Sequence, residues 1–446
     1  MRTHDTPSLN NPKPNRRFYM TDQKNSYLVP MIIIGVLFFI FGFVTWLNGP
    51  LITFVKLAFH LNTDGEAFWV TFAFYMAYFV LALPSSWILE KTGMKKGMSL
   101  GLLIMAIGTF VFGHFATARN YGMSLTGLFI IASGMTLLQT ASNPYISIVG
   151  PIESAAQRIS VMGICNKVGG IISPIILGAF ILTDVTAFEG HVKAAPTEEA
   201  RELLLNEFAA KIYVPYLVMA VILVGLSFWI LKSALPEIKV SEANQQPVGE
   251  SSKTKTSIFQ FPHLWLGVAC LFLYVGVEVM AGDAIGTYGK GFNISSDETK
   301  YFTSLTLGAM LIGYVIGLST IPKYLSQSAA LKYSAISGII FTAAALLTHG
   351  YVSVGFVAAL GLSNALMWPA IWPLAINGLG KFTEKGSALL IMGIAGGAII
   401  PKVFAHLKED FNFQYVFFAL MFPCYIYILY FATKGYLAGK SAASKI

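Results

Sequence analysis

The chain has 446 residues, 55% hydrophobic and only 12% charged, with a formal net charge of +8. Soluble domains carry about 25% charged residues, so a mean hydropathy of +0.65 excludes a water-soluble globular protein. The apolar runs reach about 20 residues, the length of a membrane helix and too long for a barrel strand, and the basic residues sit in short loops and tails without the aromatic interleaving of a nucleic-acid binder.

Residues 1–27 form a polar, basic tail with Arg2, Lys13, Arg16, Arg17 and Lys24. The apolar run after it is too long for a signal-peptide core and lacks a small-residue cleavage site, so it is read as the first span. Hydropathy predicts about twelve spans, at residues 28–58, 67–89, 97–116, 122–149, 156–183, 211–234, 261–289, 300–322, 329–348, 352–378, 386–407 and 413–434. In the first, Thr45 and Asn48 are three apart and share a helix face. Trp46 and Asn48 flank a turn ending in Gly49-Pro50, and Pro50 is expected to kink the helix and free backbone carbonyls near its centre. In the fourth, Gln139 and Asn143 are four apart, share a face, and are followed by Pro144. Amides both donate and accept hydrogen bonds, which suits a neutral polyhydroxy ligand; the competing reading is interhelical hydrogen bonding.

Lys167 is the most informative residue. It lies nine positions past Arg158, which opens the fifth span, and so roughly 13 Å deeper along a helix. A charge near the middle of the hydrocarbon core costs at least ~2.5–3.5 kcal/mol on insertion scales. Such a residue must face a bundle interior or a water-filled cavity, with a partner: either a structural ion pair or part of a substrate or ion pathway.

The loop at 184–210 contains Pro196-Thr197-Glu198-Glu199, a helix-start pattern, and is expected to hold a short surface helix. The stretch 235–258 is polar and aperiodic and reads as a linker between two six-helix halves, 28–234 and 259–434; residues 435–446 form a second tail. The seventh span carries Glu278 and Asp283. Five residues turn a regular helix by roughly 140°, so the two acids cannot face one way. Glu278, nearer the centre, is the expected partner of Lys167. Asp283, beside Gly282 and Gly286, is left as a second partner, a cation ligand, an outer gate or a hydrated boundary residue. In the tenth span Asn364, Trp368 and Trp372 follow a helical stripe among Pro369, Pro373 and Asn377. That is a core stripe or a flat platform for a sugar ring. Cys165, Cys270 and Cys424 sit in apolar segments without disulfide or metal spacing, and the scattered histidines include no HExxH. A membrane enzyme is therefore not expected, nor any cofactor or bound metal beyond a coupling cation.

Met162-Gly163-Ile164, Gly169-Gly170-Ile171-Ile172 and Pro174 recur as Met392-Gly393-Ile394, Gly396-Gly397-Ala398-Ile399-Ile400 and Pro401. The repeat lays the fifth span over the eleventh in the same orientation. Parallel six-helix repeats indicate the major facilitator fold, whose site lies near the midplane between the halves. Lysines in the loops, such as Lys91, Lys95, Lys96, Lys232, Lys323 and Lys385, place those loops and both termini in the cytoplasm. The loop Glu90-Lys91-Thr92-Gly93-Met94-Lys95-Lys96-Gly97 resembles a degenerate form of that fold's inner-loop motif, without its usual Asp-Arg pair.

A closer resemblance rests on three segments of the fourth span: 127–132 (GLFIIA), 139–145 (QTASNPY) and 149–151 (VGP). These resemble the fucose–galactose–glucose symporter family. Trp46-Leu47-Asn48-Gly49-Pro50, Asn166-Lys167, Tyr274-Val275-Gly276-Val277-Glu278 and Gly282-Asp283 are similar to its bacterial glucose/galactose transporter branch. The resemblance implies a monomeric hexose symporter of the bacterial inner membrane, with Asn166 at a sugar-site position. It also marks a departure: the fucose–proton symporters carry acids at the positions of Gly49 and Gln139. Coupling here falls to Lys167, Glu278 and Asp283. A fixed carboxylate with amide and carbonyl oxygens suits sodium, and a buried acid beside a lysine can titrate, so both sodium and a proton remain open, with sodium at Glu278 or Asp283 the first choice. The rival functions are a sugar uniporter, an exporter of another small metabolite, and a sugar sensor that binds without transporting.

Overall fold

The computed structural model describes residues 28–148, 155–236, 256–321 and 323–439. The basic tail 1–27, most of the linker 235–258, the motif residues 149–151 and the end of the second tail lie outside these residues. Among the described residues, twelve helices are long and apolar enough to cross a membrane: Leu28–Ala58, Asp64–Thr92, Met94–Thr117, Tyr121–Asn143, Arg158–Phe180, Glu198–Lys232, Pro262–Gly282, Ser296–Thr320, Gln327–Leu347, Gly350–Ile376, Lys385–Asp410 and Phe413–Thr433. They are called spans one to twelve below. An even count puts Leu28 and Thr433 on one side of the bundle, called the terminal side; the opposite side is the far side.

Three of the spans that carry site residues are interrupted. Span one is helical over Leu28–Thr45 and again over Asn48–Ala58. The break falls at Trp46-Leu47, ahead of the expected kink at Pro50. Pro50 sits in the first turn of the second segment, where a proline is tolerated, but it has no N–H to offer the Trp46 carbonyl four residues earlier. Span seven ends its main helix at Gly282 and resumes at Ile285–Lys290. Span ten breaks at Ala365-Leu366, between Gly350–Asn364 and Met367–Ile376. Broken helices are tolerated at membrane depth where they are enclosed by protein.

Small residues set the packing inside each half. A Cβ at Gly169 of span five would lie 2.1 Å from the Phe39 carbonyl oxygen of span one, and one at Gly42 would lie 1.7 Å from the Asn166 oxygen. In the other half a Cβ at Gly396 of span eleven would lie 1.7 Å from the Phe272 oxygen of span seven. Gly169 and Gly396 are equivalent in the sequence repeat, so the repeat encodes one backbone contact used twice. Without a hydrophobic driving force between helices in lipid, such close approach is what holds them.

Between the halves, spans five and eight pack along their length, with Gly163 against the Tyr314 ring and Gly178 against the Tyr301 ring. On the far side polar groups close the seam. Asp64, at the start of span two, pairs with Lys56 at 2.6 Å and with Lys408 of span eleven. Glu409 accepts the Gly65 N–H at 3.0 Å, and Lys402 donates to the Gly65 carbonyl while lying 4.1 Å over the Trp69 ring. Asp297 of span eight accepts the N–H groups of Val185 and Thr186, each at 3.0 Å. Two helices follow span five: Val185–Lys193, in the loop before span six, and Glu198–Ala210, which forms the first part of span six. The second starts where the sequence signals it, with Thr197 accepting from the Ala200 N–H; the first lacks a side-chain cap and has no such signal. On the terminal side, Gly93 takes a φ of 78° to turn span two into span three, and Lys95 donates to the Ser233 carbonyl at 2.8 Å.

Candidate functional site

A cavity of about 130 Å³ lies between the halves. That is close to the ~150 Å³ of a cavity that takes one benzene-sized molecule, the scale of one small molecule. Its far-side wall is buried: Trp46, Tyr75, Tyr78 and Val279 are each at most 3% exposed. Its terminal-side lining, Gln139, Asn143, Ile159 and Trp368, is partly exposed. The more exposed part of the lining thus lies toward the terminal side and the buried part toward the far side.

Lys167 and Glu278 meet at its wall. Lys167 Nζ donates to Glu278 Oε1 at 3.0 Å, joining span five of one half to span seven of the other. The side chains are 6% and 12% exposed. The ammonium also lies 4.6 Å from the centre of the Trp46 ring, an added attraction between a cation and the negative face of an indole. Trp46 is held in place by two glycines: a Cβ at Gly170 would lie 2.5 Å from its ring, and one at Gly282 would lie 2.2 Å from it. The break in span one thus carries the ring onto both the ion pair and the break in span seven.

The amides form the other polar wall. Gln139, Asn143 and Asn166 line the cavity. Gln139 Nε2 donates to the Tyr78 hydroxyl at 3.0 Å, and Asn166 Nδ2 reaches the Phe38 carbonyl at 3.4 Å. Trp368 supplies an aromatic face, backed by Trp372 at 5.5 Å with 21° between ring planes and flanked by Tyr274 at 6.4 Å. Apolar walls, a flat ring, convergent amides and one ion pair make a pocket of the kind that binds a small polar ligand.

Four predicted site residues do not line this cavity. Asn48 follows the break in span one, so its three-residue spacing from Thr45 no longer holds the two on one face; Thr45 lines the cavity while Asn48 is buried at 1%. Asn364 is separated from Trp368 by the break in span ten and accepts a hydrogen bond from Tyr425 of span twelve at 2.9 Å. Trp372 stands behind Trp368. Asp283 is 1% exposed, beyond the far-side wall, where Tyr75 Oη donates to its Oδ2 at 3.4 Å. The sequence reading missed Tyr75, Tyr78, Tyr274 and Tyr314, which all line the cavity. Their spans are apolar all round, so hydropathy carried no sign of the inward face; tyrosine, with one polar atom on an apolar ring, was the available signal.

Residues 34–401 match the profile of the Major Facilitator Superfamily. The chain is 31% identical over 418 residues to the glucose/galactose transporter of Brucella abortus biovar 1 (strain 9-941), covering 93% of this chain and 96% of that one. It is 26% identical over 390 residues to the L-fucose-proton symporter of Escherichia coli K12, covering 87% and 88%. Among solved structures, the transporter FucP in its outward conformation superposes with a TM-score of 0.73 at 24% identity, over 91% of this chain and 98% of that one.

Proposed function

Because the chain belongs to the major facilitator superfamily, we propose that it imports a hexose of the glucose or galactose type by proton symport and alternating access. The observation that carries this reading is the cavity between the halves, where Gln139, Asn143, Asn166 and the Trp368 face surround space for one small molecule beside the Lys167–Glu278 pair. The amides exchange hydrogen bonds with sugar hydroxyls, and Trp368 stacks on the apolar face of the ring. The relatives named glucose/galactose transporters supply the sugar class, and those named fucose-proton symporters favour a proton over sodium. The two halves are 28–234 and 259–434, joined through 235–258, and the protein acts as a monomer in the bacterial inner membrane with both termini cytoplasmic.

In that orientation the terminal side is cytoplasmic, and the more exposed end of the cavity faces inward. Lys167 and Glu278 act as a clasp between the halves. A charge pair at the cavity wall is exposed to competition from sugar hydroxyls, so ligand occupancy alters how firmly spans five and seven hold each other. The far-side contacts of Asp64, Glu409 and Asp297 must open for the outward state, and a ligand shifts that equilibrium only by its differential affinity for the two states.

The test is uptake of labelled D-glucose and D-galactose into proteoliposomes under an imposed inward proton or sodium gradient. Accumulation with the proton gradient alone supports the reading. Accumulation with sodium alone replaces the coupling ion, equilibration without accumulation makes the protein a uniporter, and no uptake of either sugar overturns the substrate class.

A further inference from the structure

We propose that Asp283, outside the sugar cavity, is the residue that carries the transported proton, loaded and unloaded through the hydroxyl of Tyr75. This rests on the reading of the chain as a proton-driven importer and adds the site of the proton to it.

Asp283 occupies the break in span seven, and Gly49, just past the break in span one, lies against it: a Cβ at Gly49 would be 3.4 Å from Asp283 Oδ1. The carboxylate is 1% exposed, and among the described residues its Oδ1 has no hydrogen-bond partner. Its Oδ2 has the Tyr75 hydroxyl at 3.4 Å, a long contact. Asn48, adjacent to Gly49, is likewise 1% exposed with Nδ2 unpartnered among the described residues. An ionised carboxylate buried with so little compensation is costly, and such a group responds by taking up a proton.

The contrast with Glu278 decides between the two acids. Glu278 has the Lys167 ammonium as a direct ion-pair partner at 3.0 Å, and Asp283 has no such partner among the described residues. The titratable groups facing Asp283 are Tyr75 from span two, Glu278 from its own span and Lys167 from span five. Tyr75 is neutral, and the Lys167 charge is taken by Glu278. Span one brings the backbone N–H of Gly49, and span eight brings Thr303, whose hydroxyl donates to the Gly282 carbonyl at 2.8 Å.

Tyr75 joins the two sites. Its ring lines the cavity and its hydroxyl reaches Asp283. It also stacks on Tyr78, at 6.5 Å and 27°, and Tyr78 accepts the hydrogen bond from Gln139. A proton from cavity water adds to Tyr75 Oη as the proton already on that hydroxyl passes to Asp283 Oδ2. Tyrosine is neutral before and after, Asp283 changes from carboxylate to acid, and the chain gains one positive charge. Unloading reverses these transfers. The chain Gln139–Tyr78–Tyr75–Asp283 gives a sugar at Gln139 a physical route to the proton site.

Two measurements test this. In proteoliposomes, Asp283→Asn is expected to retain sugar-for-sugar counterflow while its proton-driven accumulation ratio falls to one. Accumulation at the wild-type ratio, or loss of counterflow along with it, overturns the proposal. In wild-type membranes, dicyclohexylcarbodiimide, which attacks protonated buried carboxyls, is expected to modify Asp283 in mild acid and not at alkaline pH, as read by peptide mass. An unmodified Asp283 in acid overturns the proposal even if the variant does not fold. If the wild-type chain shows no counterflow with any hexose, the sugar reading fails, and the carbodiimide pattern still decides whether Asp283 holds a proton.

Discussion

Replacing Lys167 by methionine removes one member of the pair that bridges the halves and keeps most of its volume. The pair is tight, at 3.0 Å, and shielded, with side chains 6% and 12% exposed. Taking away one partner of a buried pair strands the other charge, at about 3–5 kcal/mol. Glu278 borders a cavity with some access to water, which favours the lower end of that range. The lost contact between the ammonium and Trp46 adds about 0.5–2 kcal/mol. Lys167→Met is therefore expected to destabilise the protein by about 3–5 kcal/mol. The double variant with Glu278→Gln removes the stranded charge and is expected to fall within about 1 kcal/mol of wild type, because replacing a whole buried pair is often close to neutral. The assay is reversible unfolding in mixed micelles of the wild type, both single variants and the double variant. A single-variant loss under about 0.5 kcal/mol, the range of an unremarkable surface change, or a double variant as unstable as the two singles summed, would refute the buried clasp. Transport separates stability from function: the double variant should regain stability without regaining accumulation.

Gln139→Ala should weaken apparent sugar affinity in counterflow by about tenfold, the loss of roughly one good hydrogen bond; an unchanged affinity removes Gln139 from the sugar site. Asp64→Asn combined with Glu409→Gln should shift the population toward a far-side-open state, seen as a longer spin-label distance across that side; an unchanged distance distribution means that these contacts do not hold it shut. Gly396→Leu should abolish the folded protein, because its first added atom meets the Phe272 carbonyl at 1.7 Å, whereas Gly163→Ala meets only the movable Tyr314 ring and should be milder. Equal expression and thermal stability of the two variants would contradict the packing assigned to the repeat.

The fold was legible because burial in lipid leaves a long signal: twelve apolar stretches, and one glycine pattern recurring where spans five and eleven press on spans one and seven. Lys167 was legible for the same reason, since a charge in an apolar run has to be explained. The lining of the cavity was less so. Face arguments assume an unbroken helix, and they failed at Asn48 and Asn364, where spans one and ten are interrupted next to the residue in question. Of the two acids of span seven, Glu278 lines the cavity, while Asp283 lies just past the end of the main helix at Gly282 and does not. The tyrosines were hidden because a span apolar on every side has no periodicity to reveal which side turns inward.

Two sets of glycines differ in what they touch. Some within a half meet backbone, as Gly169 meets the Phe39 carbonyl and Gly396 that of Phe272. Four between the halves lie against flat rings: Gly163 and Tyr314, Gly178 and Tyr301, Gly282 and Trp46, Gly397 and Tyr75. Backbone against backbone has no rotamer to exchange and one register, so each half is stiff. A ring lying on a glycine has no knob seated in a hole, and it can slip along the neighbouring helix without unlocking interdigitated side chains. Under the proposed alternating access, these ring-on-glycine contacts resist sliding less than interdigitated side chains would, and the polar contacts on the far side are where ligand, proton and salt act on the motion.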